Sequence, residues 1–162
     1  MKKLITLGAA ALALVAAPAY AQTNEDFTGF RVGVTAGADD VTGVRDTTDI
    51  VYGVDAGVDV GIGDRVTLGV EAFSTNPFED ERTVGAAARV GYAITPDVLG
   101  FVRAGYSNYQ DTFSRKLDGL TVGGGAEFAL SDMSYARIEY RHSNFEEGVG
   151  NHGVLAGVGL RF

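Results

Sequence analysis

The chain has 162 residues, no cysteine and a formal net charge of −8. This acidic balance argues against nucleic acid as a partner, because nucleic-acid-binding proteins neutralise phosphates with lysine and arginine. Without cysteine, the chain forms no disulfide and offers no thiolate for zinc, iron–sulfur or nucleophilic chemistry.

The first 21 residues have the layout of a secretory signal peptide. Lys2 and Lys3 precede a mostly apolar run over 4–17, and the small-x-small site Ala19-Tyr20-Ala21 follows. That run is shorter than the roughly 20 apolar residues that a membrane helix needs. We therefore predict cleavage after Ala21 and an exported single domain of residues 22–162. Its net charge would be −8 − 2 = −10, because the removed segment carries two lysines and no acid.

Beyond residue 22, apolar and polar residues alternate with a period of two, which is typical of β-strands. The predicted strands, in chain order, are Thr28–Gly37, Ile50–Gly61, Arg65–Ser74, Thr83–Ala93, Val98–Asn108, Gly119–Leu130, Ser134–Ser143 and His152–Phe162. An even number of strands lets an antiparallel meander close with both chain ends on the same side. The predicted fold is an all-β, eight-stranded, antiparallel up-and-down barrel; the lengths of its loops and the chemistry of its two faces favour one that spans a membrane.

The connections between these strands alternate in length. Short turns fall around Gly63-Asp64, Thr95-Pro96-Asp97 and Ser131-Asp132, and longer, mostly acidic segments cover 38–49, 75–82, 109–118 and 144–151. Tight turns at one rim and long loops at the other are typical of barrels in the bacterial outer membrane.

Each predicted strand has one apolar row of side chains and one row of glycines and charges. The charged rows hold six arginines, five carboxylates and no lysine: Arg31, Asp55, Asp59, Glu71, Arg89, Arg103, Glu127, Arg137, Glu139, Arg141 and Arg161. A soluble barrel or sandwich would bury the apolar rows and expose the charged ones to water. Arginine paired almost one for one with acid instead favours an enclosed network, because its guanidinium forms forked pairs with carboxylates. We therefore expect a charged, side-chain-filled lumen, in which the glycines leave room for long arginines, and an apolar wall that faces lipid.

Aromatic residues of the apolar rows fall near strand ends. Phe30, Tyr92, Phe128 and Phe162 lie toward the short-turn rim, and Tyr52, Tyr106 and Tyr140 toward the long-loop rim. Two such belts predict the aromatic girdles at the two membrane–water interfaces.

Four stretches carry a resemblance to a known family: FVRAGY at 101–106, GGGAEF at 123–128, IEYR at 138–141 and VLAGVGLRF at 154–162. They resemble the small outer-membrane β-barrel proteins of Gram-negative bacteria, including the OmpA transmembrane domain, OmpX and the opacity/porin-like group. The resemblance covers the whole mature chain. It implies that Phe162, an aromatic residue at the chain end, is the signal read by the barrel-assembly machinery. Because no peptidoglycan-binding domain follows the barrel, we do not expect a cell-wall tether.

The resemblance implies an integral outer-membrane protein with a structural or surface-interaction role, in envelope integrity or adhesion. Its partners would be outer-membrane lipid, lipopolysaccharide and the barrel-assembly machinery, and the protein would be monomeric, without cofactor or metal. One alternative is a narrow porin-like channel for small solutes. A second, disfavoured alternative is an enzyme that modifies lipid A.

The enzyme alternative rests on His142 and Ser143. In the lipid A deacylases of this family, histidine and serine lie two residues apart on one lipid-facing wall. Here they are consecutive, so the period of two places His142 outward and Ser143 inward. We therefore predict a rim histidine and no enzyme. His152 is interpreted in the same way, and two histidines without a convergent carboxylate make a weak metal site.

The predicted long loops are acidic and carry few apolar tips. Their acids are Asp39, Asp40, Asp46, Asp49, Glu79, Asp80, Glu81, Glu146 and Glu147, and their large apolar residues are Tyr109, Phe113 and Phe145. These acids predict a solvated rim in preference to a site for divalent cations that bridge lipopolysaccharide phosphates.

Overall fold

The structure, a computed structural model, describes residues 27–42, 47–76, 78, 82–110, 116–145 and 150–162. The predicted signal peptide, residues 1–21, lies outside the described residues. The strands are β1 (Gly29–Thr42), β2 (Thr47–Ile62), β3 (Val66–Thr75), β4 (Arg82–Thr95), β5 (Val98–Gln110), β6 (Lys116–Ser131), β7 (Ser134–Phe145) and β8 (Gly150–Arg161). Each pairs antiparallel with its neighbours in sequence, and β1 pairs antiparallel with β8, which closes the barrel. The predicted eight-stranded up-and-down barrel is confirmed.

At the short-turn rim the strand ends agree with the sequence prediction to within two residues. Gly63 in the β2–β3 turn has a positive φ of 64°, a conformation that glycine adopts without steric cost. The ladder is irregular between Ala93 and Thr95 of β4 and between Ala129 and Ser131 of β6. Local irregularities of this kind are common at barrel rims.

At the long-loop rim the strands are longer than predicted, by one to five residues. The predicted loop 38–49 is wrong over most of its length, because β1 continues to Thr42 and β2 begins at Thr47. Asp39 pairs with Asp49 and Asp40 with Thr48, so these three acids lie in strands. The prediction failed because a strand that leaves hydrocarbon meets water on its outer face, so the sequence alternation stops while the backbone ladder continues.

The two faces of the wall have opposite chemistry. Val34, Val102 and Val158 on the outer face are all more than half exposed, whereas the inward residues between them are largely buried. The alternative of a soluble barrel or sandwich is therefore wrong, because such a fold would bury these valines. Within the described residues, no helix is long and apolar enough to cross a membrane.

The inward glycines leave room for aromatic rings as well as for arginines. A Cβ added at Gly85 would lie 2.5 Å from Cζ of Phe73, and one added at Gly159 would lie 2.3 Å from Cζ of Tyr135. Such distances are far inside van der Waals contact, so any larger residue would have to displace a ring. Glycine on the inner wall thus allows aromatic rings, as well as arginines, to fill a narrow lumen.

Candidate functional site: the barrel interior and its rims

All eleven charged residues assigned to the lumen from the sequence are buried. They are Arg31 (β1), Asp55 and Asp59 (β2), Glu71 (β3), Arg89 (β4), Arg103 (β5), Glu127 (β6), Arg137, Glu139 and Arg141 (β7), and Arg161 (β8). Every strand contributes at least one, so the closure of the barrel is what brings them together.

Arg31 is the hub of this network on the β1–β3 side. Its Nε donates to Asp59 Oδ2 at 2.9 Å, its Nη1 donates to Asp55 Oδ2 at 3.0 Å, and its Nη2 donates to Glu71. One guanidinium thus holds three carboxylates from two neighbouring strands. Its side chain is fully buried, so water does not screen these contacts.

The same carboxylates are shared with arginines from the opposite wall. Glu71 Oε1 lies 2.6 Å from Arg103 Nη1, and Arg137 Nη2 donates to Asp55 Oδ1 at 2.8 Å. Arg103 Nη1 also donates to Glu139 Oε1 at 3.0 Å. The first two contacts cross the lumen between β2–β3 and β5–β7, and the third joins β5 to β7. All three therefore tie strands that are not neighbours in the sheet.

A second group lies nearer the short-turn rim. Arg89 Nη2 donates to Glu127 Oε2 at 2.7 Å, and Arg161 Nη2 donates to the other oxygen of Glu127. Asp59 links the two groups, because its Oδ2 lies 3.6 Å from Arg89, 3.5 Å from Arg161 and 2.9 Å from Arg31. The eleven charges therefore form one connected network.

Aromatic rings on the inner wall stack on the arginines, a feature that sequence reasoning missed. The Phe101 ring lies 4.2 Å from Cζ of Arg89, and the Phe73 ring lies 4.3 Å from Cζ of Arg103 and 4.6 Å from Cζ of Arg141. The faces of a guanidinium accept an aromatic ring while its edges donate to carboxylates. The inward parity of Phe73 and Phe101 was the available signal, since both stand in the charged rows.

An apolar cluster fills the lumen at each end of the charged network. Phe27, Ala93 and Leu99, with Ala129 against them, form the cluster at the short-turn rim. At the long-loop rim, Leu117 and Phe145 pack together with Tyr109, whose ring centroid lies 5.7 Å from that of Phe145. The prediction that Tyr109 and Phe145 are loop tips is wrong, because both stand in strands and Phe145 is buried. Phe113 lies outside the described residues.

Between the network and the long-loop rim the lumen is polar and narrow. The hydroxyl of Thr121 lies 2.7 Å from that of Ser107 and 2.8 Å from that of Ser143. A cavity of about 20 Å³ lies beside them, and its lining includes Asp39, Arg141, Ser143 and Asn151. Such a volume holds about one water molecule.

The seven aromatic residues assigned to the girdles lie on the outer wall. Phe30, Tyr92, Phe128, Phe162, Tyr106 and Tyr140 are exposed, and Tyr52 is partly exposed. Phe30 and Phe162 lie side by side, because the backbone N–H of each donates to the carbonyl of the other, at 2.9 and 2.8 Å. Phe162 therefore stands at the seam where the last strand meets the first.

His142 and Ser143 face opposite sides of the wall. His142 is exposed on the outer face, whereas Ser143 is buried and bonded to Thr121 inside the lumen. The pair therefore does not place an imidazole beside a hydroxyl nucleophile. His152 lies directly opposite His142 on β8.

The acids assigned to a solvated rim fall into two sets. Asp39 accepts a hydrogen bond from Asn151 Nδ2 at 2.6 Å, and Asp40 accepts one from the Thr48 hydroxyl at 2.5 Å. Asp49 is exposed on β2. The others, Asp46, Glu79, Asp80, Glu81, Glu146 and Glu147, lie outside the described residues. In the part of the chain that is described, no three or more His, Asp or Glu side chains are grouped to hold a metal ion.

Comparison with known proteins decides the family. The model of the outer membrane protein β-barrel domain matches residues 7–162. The chain belongs to this family. As a member of the outer membrane β-barrel family, it resides in the cell outer membrane and crosses it with its strands.

Three similar proteins illustrate how far the likeness extends. The 25 kDa outer-membrane immunogenic protein of Brucella ovis is 29% identical over 120 residues, which cover 70% of this chain and 56% of that protein. The chain thus spans little more than half the length of that relative. Ail, the attachment invasion locus protein of Yersinia pestis, has a TM-score of 0.62 at 15% identity, covering 83% of this chain and 99% of its own. The outer-membrane enzyme PagL scores 0.51 at 11% identity, covering 80% and 99%. At these identities the two structures share the fold alone with this barrel.

The network predicts a large stability loss when one carboxylate is neutralised without a change in shape. Glu71→Gln should lower the free energy of unfolding by about 3–5 kcal/mol, because Arg31, Arg103 and Arg137 would lose a buried counter-charge. The measurement is urea unfolding in lipid vesicles, followed by circular dichroism and by heat-modifiable gel mobility.

The matched control for this prediction is Asp97→Asn, the same loss of charge on an exposed turn residue. It should change stability by less than about 0.5 kcal/mol. The double variant Glu71→Gln with Arg103→Met should be less unstable than the sum of the single variants, because it removes both members of one pair. Equal stability of Glu71→Gln and Asp97→Asn would contradict the prediction that loss of the Glu71 charge leaves buried arginines without a counter-charge.

Proposed function

We propose that this protein is a sealed structural barrel of the outer membrane that presents its long-loop rim at the cell surface, for envelope integrity or adhesion. The observation that carries the proposal is the filled lumen. An apolar cluster lies at each end of the lumen and the ion network lies between the two clusters. A cavity near the long-loop rim holds about one water molecule.

If the lumen is sealed, the protein can contact other molecules only through its outer wall and its rims. The apolar wall contacts lipid, and polar residues begin where the strands project beyond the tyrosine girdle. There Asn108 Nδ2 donates to Asp118 Oδ1 at 2.8 Å, and Thr48 donates to Asp40. The strand ends that project beyond the tyrosine girdle therefore present a polar surface at the depth of the lipopolysaccharide head groups and sugars. We propose lipid and lipopolysaccharide as its immediate partners.

The names of two similar proteins support a surface role. The Brucella ovis relative is described as an outer-membrane immunogenic protein, and Ail as an attachment invasion locus protein. Attachment requires residues that are accessible from outside the cell, and antibodies can also recognise such residues. By analogy, the long-loop rim of this barrel would present residues that are accessible from outside the cell. We further propose that the protein acts as a monomer.

A narrow channel is the competing function, and conductance separates it from a sealed barrel. The chain reconstituted in a planar lipid bilayer should give no steady current, because buried side chains of the described strands fill the lumen. The contrary result would be unitary current steps whose size changes in Arg103→Ala or Glu127→Ala. Heat-modifiable mobility of the same preparation checks that the tested barrels are folded.

We propose that the protein has no catalytic role, on the ground that His142 and Ser143 face opposite sides of the wall. Cells that express the chain should therefore contain lipid A with the same acylation pattern as cells without it, as measured by mass spectrometry. A shift by the mass of one acyl chain that disappears in Ser143→Ala would contradict this proposal.

The position of Phe162 at the closing seam supports its proposed role as the signal for the barrel-assembly machinery. Phe162→Ala should lower the amount of folded protein in the outer membrane severalfold, measured by fractionation and gel mobility. The matched control is Phe30→Ala, which removes a neighbouring ring of the same girdle from β1 and leaves the chain end intact. Equal losses in the two variants would show that the ring acts only as a girdle residue.

A further inference from the structure

The chain contains two histidines and no cysteine, and the fold places the two histidines side by side. His142 on β7 and His152 on β8 are directly opposed in the strand register, and their ring centroids lie 6.4 Å apart. Both side chains project from the outer wall. Along the strands they lie two residues closer to the long-loop rim than the outward pair Tyr140 and Val154. Neither residue has a part in the lumen network or in the proposed function.

This spacing fits two ligands of one metal ion. Imidazole nitrogens bind zinc at about 2.0–2.1 Å, so two of them on one ion lie roughly 3.3 Å apart in tetrahedral geometry. Directly opposed residues of an antiparallel pair have Cβ atoms about 4.5–5.5 Å apart. Two imidazole rings bound in this way have centroids roughly 5 Å apart. The rings of His142 and His152, whose centroids are 6.4 Å apart, therefore need to approach by only about 1 Å, which small rotations within the rotamer wells achieve.

The neighbouring charge favours a cation at this place. Asp40 on β1 is the register partner of His152 on its other side, so the three side chains form one row across β7, β8 and β1. The Asp40 carboxylate is oriented by the Thr48 hydroxyl, 2.5 Å away. No arginine or lysine of the described residues stands in this row, which ends at Thr48 on β2.

We propose that His142 and His152 form a surface site for one divalent transition-metal ion of the class that imidazole prefers, represented by Zn²⁺, Cu²⁺ and Ni²⁺. Two imidazole nitrogens bind the ion and water completes its coordination. The ion would clamp β7 to β8 at the rim, beside the connection between the last two strands. Mg²⁺ and Ca²⁺ would not replace it, because these ions take oxygen ligands.

The test uses the untagged chain folded in detergent micelles, with Zn²⁺ titrated by calorimetry and Cu²⁺ followed by electron paramagnetic resonance. The expected result is one ion per chain, nitrogen hyperfine structure from two imidazoles, and no competition by millimolar Mg²⁺ or Ca²⁺. His142→Ala and His152→Ala should each weaken binding at least tenfold. Gel mobility before and after boiling confirms that every variant is folded.

The matched control keeps two histidines on the same rim but separates them. In Ala38→His with His152→Ala, the second histidine moves to the outer face of β1, two strands and one outward row from His142 and roughly 12 Å away. This variant should bind as weakly as His152→Ala alone. Binding as tight as in the unaltered chain would overturn the proposal, as would unchanged binding in both single variants or the absence of binding at millimolar ion.

Stability gives a second readout, because an ion that binds only the folded form raises the free energy of unfolding by mass action. Zn²⁺ at a concentration well above its dissociation constant should shift the urea midpoint upward in the unaltered chain. The shift should be smaller in His142→Ala, because the weaker site is less occupied at the same ion concentration. An equal shift in both chains would place the ion elsewhere and overturn the assignment.

Discussion

The structure depends on one constraint: inside hydrocarbon, every backbone N–H and C=O must find a partner within the protein. The β1–β8 pairing satisfies this constraint by removing the last free edge of the sheet. Closure also fixes where polar side chains go. A strand in a closed wall presents its side chains alternately to lipid and to the lumen, and charge is costly on the lipid side. Arginines and carboxylates therefore meet in the lumen, where eight strands leave them little room and little water.

The lumen network specifies the barrel more than it stabilises it. Buried ion pairs recover little more than the cost of removing their charges from water. Among the described residues, some buried nitrogens and carboxylate oxygens make no hydrogen bond within the protein, for example Nε of Arg103, Nε of Arg89 and Oδ1 of Asp59, so the pairing is incomplete on both sides. However, a register slip of one residue in any strand would move its charges to the lipid face. Because charge on the lipid face is costly, strand pairings in a wrong register have a higher free energy, and the network thereby favours the native register.

The periodicity of the sequence was sufficient to predict the barrel, its eight strands and the inward row of charges, because one physical rule sets side-chain direction along a membrane strand. It was insufficient where that rule ceases to act. Beyond the hydrocarbon, Asp39 and Asp40 continue β1 without an apolar partner row, so they were assigned to a loop. Phe73, Phe101 and Leu99 follow the inward parity but are apolar, and their role depends on three-dimensional neighbours: arginines for the two rings, and Phe27 and Ala93 for Leu99. The opposition of His142 and His152 required the register of β7 and β8, which sequence spacing does not give.

Because the interior is filled and the fold is shared with proteins of other functions, binding specificity in this barrel must come from its outer surface. The lumen of a small barrel can be conserved in architecture while its rims change, since the wall tolerates any apolar outward residue and the rim tolerates most polar ones. Ail and PagL illustrate this, because they share the fold with this chain at 15% and 11% identity, and one of them is described as an enzyme. The outward residues just beyond the tyrosine girdle are therefore positions at which specificity can arise in this barrel. In this chain those positions carry a paired imidazole row beside a carboxylate, which is a binding surface that the barrel interior neither requires nor constrains.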